Sequence, residues 1–508
     1  MSQQNFSARR AAYFLVPMML AALVVRLIQI DQPFIDPWSW RQSDVAAIAR
    51  NYFENGFHFA YPQIDWAGSE AGFVGTEFPI LPFITALIYQ LFGVHEWIGR
   101  LSTIFFFALS LPIFFALARR AAGKDAAIFA LLFYSFAPLS IATGRSFMPD
   151  LPSLSLSLAA FYFFWRWIEP GVIPSEAEGS RRANRKHPEQ EKATWFLLAA
   201  VALALSILIK ATSAVIGVAF LPLVIAAARN RPRPRFFLML LLLAVIALAP
   251  SAWWYWHAHE VANQFYPHHF FGAGGVQIMN LAWYRHILWL TGTSSLTPIL
   301  LLLALFGVFL SRANRWIAPF RWWLAAMIAF VIVVGYGNRH PWYQLPFVPI
   351  AAVFAGVALD FFARKTKGRL AVASALILFG AFSILLTPRF FSPAARSLYA
   401  LGLELKQRTS PAALIVIADD GDPTALYYAH RKGWHFLERN GIYDGNPSDS
   451  AQLIRDLEIL RSRGATHLAF SAGTRWWLEY YPEFTAHLIN NAAQLPATPD
   501  CRIYQLNQ

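Results

Sequence analysis

The side chains able to do chemistry at neutral pH are few and recur beside apolar runs. Asp36 stands before Pro37 in DQPFIDPWSWRQSD, with Arg41 in the same segment. Glu77 precedes Phe78-Pro79 in GTEFPILPF, and Arg145 and Asp150 share GRSFMPDLP. Lys210 separates two apolar stretches in LSILIKATSA, and Arg339, His340 and Tyr343 come together in GNRHPWYQLP. A carboxylate against an apolar surface is suited to take a proton as a general base. A lysine in such a place suits phosphate, which it binds as a point charge. Each residue also has a plainer reading. Asp36 caps the helix that follows, Glu77 favours a helix N-terminus, and Arg145 pairs with Asp150. Lys210 snorkels to an interface, and the Arg339 segment belongs to an aromatic belt. Spacing alone leaves both sets of readings open.

The elements that must position these residues lie mostly in lipid. Of 508 residues, 57% are hydrophobic and only 14% charged, against about 25% charged in soluble domains. Disorder, a disulfide scaffold and an ordinary cytosolic enzyme are excluded. A single cysteine, Cys501, excludes a cysteine-cluster metal site. Apolar stretches at 11–30, 101–118, 126–142, 151–168, 195–209, 213–228, 236–252, 295–310, 320–335, 345–361 and 369–387 predict a polytopic α-helical membrane protein of about 11 spans. No small-residue cleavage site follows the first stretch, so it is expected to stay as an anchor.

The net charge of +13 would suggest nucleic acid in a soluble protein. Here Lys and Arg crowd alternate connections, around Arg119, residues 181–192, residues 229–235, Arg312 and residues 364–369. That asymmetry explains the charge without nucleic acid and places those connections, and the N-terminus, in the cytoplasm. The polar, proline-bearing segment 169–194 reads as a cytoplasmic linker. The opposite set faces the periplasm or exterior and includes a long loop, residues 31–100. Within it, residues 78–93 read as a helix lying at the interface. Membrane-proximal charges fall near the outer ends of spans, which favours a reaction site on that face; a transporter would place them near the midplane.

The loop 253–275 is aromatic and contains His257, His259, Glu260, His268 and His269. Its HAHE run is a poor metal signal, because residues two apart do not share a helix face. Contact with sugar or lipid suits the aromatics better. From 388 the pattern changes. ALIVIADD (413–420), THLAFSA (466–472) and CRIYQLN (501–507) predict strands, and 449–464 predicts a helix ended by Gly464. Residues 1–387 are therefore expected to form the membrane domain, and 388–508 a small α/β domain outside it, periplasmic or extracellular. Asp419, Asp420 and Asp422 after a strand offer an acidic site, with a polar turn as the plainer and favoured reading.

A first span, an acid in a long outer loop with interfacial helices, a Glu-Phe-Pro segment and a later Arg…Pro-Asp loop resemble the membrane glycosyltransferases of the GT-C fold. WRQSDVAAIARNYFENG, GTEFPILPFITALIYQLFG and HPWYQLPFVP are similar to segments of bacterial glycosyltransferase family 39-like proteins. These are related to protein O-mannosyltransferases and to the aminoarabinose transferase of lipid A. The resemblance covers 11–387. It implies a GT-C-like enzyme of a bacterial inner or plasma membrane. A sugar would move from a polyprenyl-phosphate donor to a hydroxyl of a protein, lipid or glycan acceptor, by one inverting displacement at the outer leaflet. It further implies Asp36 as the base and Asp150 as a second acid for acceptor positioning or, in some members, a metal. Substrate contacts would come from Arg41, Glu77, Arg145, Lys210, Arg339, His340 and Tyr343. Phe78 stands where the lipid A enzymes carry lysine, which puts their substrate in doubt here. No cofactor is required, although the carboxylates permit Mg²⁺ or Mn²⁺. The competing readings are a transporter or flippase of a lipid-linked substrate and a scaffold whose outer domain binds a wall partner.

Overall fold

The computed structural model describes residues 2–168, 188–230, 234–271, 275–366, 368–439, 442–498 and 501–507. The chain forms two compact units. The first takes in Met1–Ile28, Thr103–Trp253 and Ala273–Arg389, and the second Gln29–Ser102, Trp254–Gly272 and Phe390–Gln508. The second unit is thus built from three separate stretches, one of them the long loop after the first helix.

The first unit is helical. Among the described residues, six helices are long and apolar enough to cross a bilayer: Glu96–Ala122, Glu189–Ile209, Ala211–Arg229, Pro234–Gln264, Arg315–Val333 and Gly368–Arg408. A seventh arises if Leu281–Ser295 and Pro298–Leu310, bent by 110°, count as one span. Several expected spans are shorter than drawn. The stretch 126–142 is two helices, Lys124–Phe136 and Pro138–Thr143. Pro138 supplies no backbone donor, and it holds Ala137 extended (φ −61, ψ 138), as the residue before proline prefers. The linker expected at 169–194 falls largely at 169–187, outside the described residues. Its last part is instead the start of a helix, Pro188–Ile209, with Glu189 and Glu191 in the first turn. Proline suits that first position, and acids there complement the helix dipole.

In the second unit, Ile80–Phe92 has 13 residues. At 1.5 Å per residue that is roughly 20 Å, short of the ~30 Å hydrocarbon thickness. Among the described residues the C-terminal stretch contributes seven strands: β1 (Leu414–Ala418), β2 (Lys432–His435), β3 (Glu438–Arg439), β4 (Ile442–Tyr443), β5 (His467–Ser471), β6 (Ala492–Gln494) and β7 (Cys501–Leu506). β3 and β4 form a separate antiparallel pair. The main sheet runs β2-β1-β5-β7-β6, with β1 parallel to β2 and β5, and β7 antiparallel to β5 and β6. The three strands expected from sequence are β1, β5 and β7, and the expected helix is Ser450–Ser462.

Strand alternation sorts the core into two layers. Val416, Ala418, Leu468, Phe470, Tyr504 and Leu506 pack with Leu453, Leu457, Trp477 and Phe484. Ile415, Ile417, Ala469, Cys501 and Ile503 face the other way, into one cluster with Leu401 and Leu405 and with Ile48, Tyr52, Ile64 and Trp66 of the long loop. The loop also closes the sheet edge. Gly68 N–H donates to Gly433 O (2.7 Å), and Gly433 N–H to Asp65 O (3.1 Å). An open edge strand invites pairing with other chains, and this contact removes it. Gly68 has φ +59, and a Cβ there would lie 1.9 Å from the Trp434 ring, so the approach requires glycine.

Candidate active site

In the second unit, Pro37 interrupts the chain just before the helix Ser39–Asn55. The buried Asp36 carboxylate accepts from Trp38 N–H (3.0 Å) and from Gln42 Nε2 through both oxygens (2.9 and 2.9 Å). The carboxylate closes the turn before the helix rather than capping it, since Trp38 is the N-cap residue and no side chain caps the helix start, and Gln42 fixes its orientation.

One turn along the same helix, Arg41 Nη2 donates to both Glu77 oxygens at 2.7 Å. Glu77 lies outside the helix Ile80–Phe92, whose first turn has no acid, so the capping reading of Glu77 is replaced by this ion pair. The segment holding Glu77 is anchored through its backbone. Trp254 Nε1 donates to Thr76 O (2.9 Å), Gly75 N–H to His269 O (2.9 Å), and Phe271 N–H to Gly75 O (2.8 Å). A Cβ at Gly75 would meet Ala258 O at 2.1 Å.

A buried polar network continues from this pair. The His269 ring lies 4.3 Å from Phe271 and 5.2 Å from Trp66. Burial, and then the Arg41 charge, push His269 down to about 4, which keeps its imidazole neutral at physiological pH. Trp66 Nε1 donates to Asp44 (2.9 Å), and its ring lies 4.9 Å from that of His435. Burial raises Asp44 to about 7; Trp66, Arg41 and His435 limit the rise. His435 Nδ1 contacts both Asp419 oxygens (2.9 and 2.8 Å). Burial works against a charged imidazole there, but Asp419 and then Asp44 outweigh it and raise His435 above its ordinary value. Asp419 is buried, and Asp422 accepts from the Ser39 hydroxyl at 2.6 Å. The segment is a turn, as expected: Gly421 N–H donates to Asp419 Oδ1 (3.0 Å) and Asp422 N–H to Asp419 O (3.1 Å), with Asp419 buried and Asp420 exposed. Asp44, His269, Asp419 and His435 were not among the site residues expected from sequence. Asp44 follows Arg41 at i, i+3 on one helix face, a signal that was available; His435 carries no local signal.

In the first unit, Asp150 opens the helix Asp150–Ile168, and Lys210 falls at the break between Pro188–Ile209 and a 3₁₀ turn, Ala211–Ile216. Lys210 Nζ pairs with Asp150 Oδ1 and lies 4.4 Å over the Tyr343 ring. Asp150 Oδ2 is buried and accepts no hydrogen bond. These three residues line a small pocket of about 30 Å³ whose other walls include Trp323, Met327, Phe330, Trp342 and Leu345. Ser157, Ser213 and Thr212 supply hydroxyls. The lining, apolar with a few convergent polar groups, has the composition of a small-molecule site, although the cavity itself is only water-sized. Arg339 does not line it; it is exposed and lies 4.0 Å over the Tyr336 ring. His340 stacks on Trp342 (4.5 Å). Arg145 is buried. The local pair expected for Asp150 is replaced by its pairing with Lys210.

Among the described residues, no three His, Cys, Asp or Glu side chains converge to hold a metal ion. The chemistry of the two expected acids does not suit one. A cation at Asp150 would have to displace the Lys210 ammonium, and Asp36 already receives Gln42 on both oxygens.

Residues 76–173 match the model of the dolichyl-phosphate-mannose-protein mannosyltransferase family. No curated protein sequence matches the chain. Among solved structures, ArnT from Cupriavidus metallidurans in the apo state is 15% identical, covering 97% of this chain and 98% of that one with a TM-score of 0.64. The same protein bound to undecaprenyl phosphate gives 16% and 0.63, over the same shares. The Archaeoglobus fulgidus oligosaccharyltransferase is 13% identical over 98% of this chain and 75% of that one, with a TM-score of 0.58. The chain has the GT-C glycosyltransferase fold. This GT-C chain is a multi-pass membrane protein, and its C-terminal sheet is present as the sequence led one to expect.

Proposed function

We propose that this GT-C protein is a glycosyltransferase that takes its sugar from a polyprenyl phosphate. The observation that carries the reading is the first-unit pocket, where one ammonium, Lys210, stands among Trp323, Met327, Phe330, Trp342 and Leu345. A lipid phosphate has that same division into an anionic head and an apolar tail. Two proteins of like fold were solved with such lipids, ArnT with undecaprenyl phosphate and the archaeal oligosaccharyltransferase AglB with dolichol phosphate.

In this reading Asp36 takes the proton of an acceptor hydroxyl, and the hydroxyl oxygen attacks the anomeric carbon. The bond from that carbon to the phosphate oxygen breaks, and the electron pair leaves with the lipid phosphate. One displacement of this kind inverts the anomeric centre. Positioned base catalysis contributes ~10²–10⁴-fold. Lys210 offsets the charge that develops on the departing phosphate, moving from Asp150 to the lipid. Phosphate leaves without a strong acid, so no group for protonating it is needed. The membrane is the bacterial inner or plasma membrane, with residues 31–100 and 388–508 on its outer side, in line with the lysine and arginine asymmetry. Mass spectrometry of envelope glycans and proteins from a deletion strain tests the reading, with a hexose or pentose expected to disappear. An envelope unchanged in every glycan would overturn it.

The transporter reading gains one feature, the 110° bend between Leu281–Ser295 and Pro298–Leu310. Residues 291–297 have no ionisable side chain, however, and Thr291 and Ser295 spend their hydroxyls on Gln344 Oε1 (both 2.8 Å). The bend is satisfied internally rather than built to hold a substrate ion.

A further inference from the structure

The short segment that carries Asp36 is tied down on both sides by residues far along the chain. Two residues before it, Phe34 N–H donates to Tyr428 Oη (2.6 Å), and Tyr428 in turn donates to Glu96 (3.0 Å). At the adjacent residue, Ile35 O accepts from Ala395 N–H (2.9 Å). Three residues after it, the Ser39 hydroxyl donates to Asp422 Oδ2 (2.6 Å), and Ser39 N–H closes back on Asp36 O (2.8 Å). Asp422 is itself fixed, because its Oδ1 accepts from Thr424 N–H (2.9 Å) and the Thr424 hydroxyl (2.5 Å). Ser43 then meets Thr424 at 3.0 Å, and Trp38 packs on Phe390 at 5.2 Å. The backbone around the carboxylate is thus set by residues 390–428 as well as by its own loop.

We infer that the C-terminal α/β region is a positioning element of the active site, in which Tyr428 and Asp422 hold the Phe34–Ser39 segment so that Asp36 meets the acceptor hydroxyl. The inference rests on the reading of Asp36 as the base. Its chemical sense is that Trp38 N–H and Gln42 orient the carboxylate within its own turn, while the turn as a whole must also be placed, because proton abstraction needs the oxygen set to within a fraction of an ångström. Misplacement by about 1 Å costs ~10²-fold in rate. Tyr428 and Asp422 touch no reacting atom and act only through the backbone and Ser39.

The test uses the full-length protein, expressed from an inducible plasmid in the deletion strain. The readout is the initial rate at which the missing envelope glycan returns after induction. Undecaprenyl phosphate binding and the thermal midpoint are measured on the same variants, purified in nanodiscs. Tyr428→Phe and Ser39→Ala are each expected to slow the return at least ~10-fold, toward the ~10²-fold of misplacement. Lipid binding and thermal midpoint are expected to stay at the wild-type level. Ser39→Thr, which keeps the hydroxyl, is expected to restore the rate. Wild-type rates in both variants would overturn the inference while leaving the glycosyltransferase reading intact. So would a loss of rate that follows a loss of lipid binding or of thermal stability, or a Ser39→Thr variant as slow as Ser39→Ala. If the deletion strain loses no glycan, the reading of Asp36 as a base falls, and the inference with it.

Discussion

Replacing Lys210 by methionine keeps the apolar stem against Tyr343 and removes only the ammonium. The Lys210 and Asp150 side chains are 12% and 2% exposed, and Asp150 Oδ2 already has no donor. The substitution leaves the whole carboxylate without a partner, and breaking a buried pair in this way costs ~3–5 kcal/mol. Asp150→Asn leaves Lys210 with the Tyr343 ring (4.4 Å) and the pocket hydroxyls. The double variant removes both charges and is expected to recover most of the thermal midpoint lost by Lys210→Met, because an uncharged buried pair is often as stable as an ionic one. Binding of undecaprenyl phosphate separates the roles. A hydrogen bond to a charged group contributes ~1.5–3 kcal/mol, so Lys210→Met is expected to weaken binding by ~10–100-fold. Asp150→Asn is expected to bind the lipid at least as well as wild type, since the ammonium no longer has a competing carboxylate. The assay is lipid titration of purified protein in nanodiscs beside thermal unfolding of the same samples. Unchanged binding in Lys210→Met would refute the phosphate role. Equal loss in Asp150→Asn and Lys210→Met would show that the pair matters only for packing.

Asp36→Asn keeps an acceptor for Trp38 N–H and Gln42 while removing the base. Transfer is expected to fall by ~10²–10⁴-fold with lipid binding unchanged, and near-full turnover would exclude Asp36 as the base. The second unit is expected to lose stability as pH rises. Asp44 is held at about 7 against 3.8 when unfolded, so the folded state binds the proton more tightly. The stability this gives is complete below pH ~4 and fades as pH climbs through about 7, amounting to about 4 kcal/mol at 1.36 kcal/mol per pKa unit. His435, also raised, changes in the same direction as pH rises. The thermal midpoint of Asp44→Asn is therefore expected to fall less between pH 5 and 8 than that of wild type. Identical slopes in the two proteins would discard the buried, neutral Asp44.

What could be read from sequence followed from local chemistry. β1, β5 and β7 were visible because a sheet covered on both faces needs short apolar runs bounded by turns. Lys210 stood out for its apolar flanks, and Asp36 for its place before Pro37. The break at Ala137–Pro138 was also legible, but the apolar run on either side outweighed it. The Arg339 segment shows the limit of pattern reading, since a basic residue at a helix end looks alike whether it meets a ligand or lies over Tyr336. Of the Asp44–Trp66–His435–Asp419 network, only Asp44, at i, i+3 from Arg41, left a signal in the sequence. The network exists only because the long loop is laid against β1 and β2, and an approach of that kind depends on the whole fold.

The unit holding Asp36 is assembled from stretches that begin at Gln29, Trp254 and Phe390. Ile48, Tyr52 and Ile64 find their packing partners in Leu401, Ile415 and Ile503. Contacts between such distant positions form slowly. While the chain is being made, the early loop must wait for residues 401–503 before it can bury these side chains. A nascent or truncated product that stops before β1 would present an oily, half-built surface, a natural mark for quality-control proteases and a hazard for aggregation. Ripening of the loop that carries Asp36 is thus timed by residues 401–503, hundreds of positions downstream.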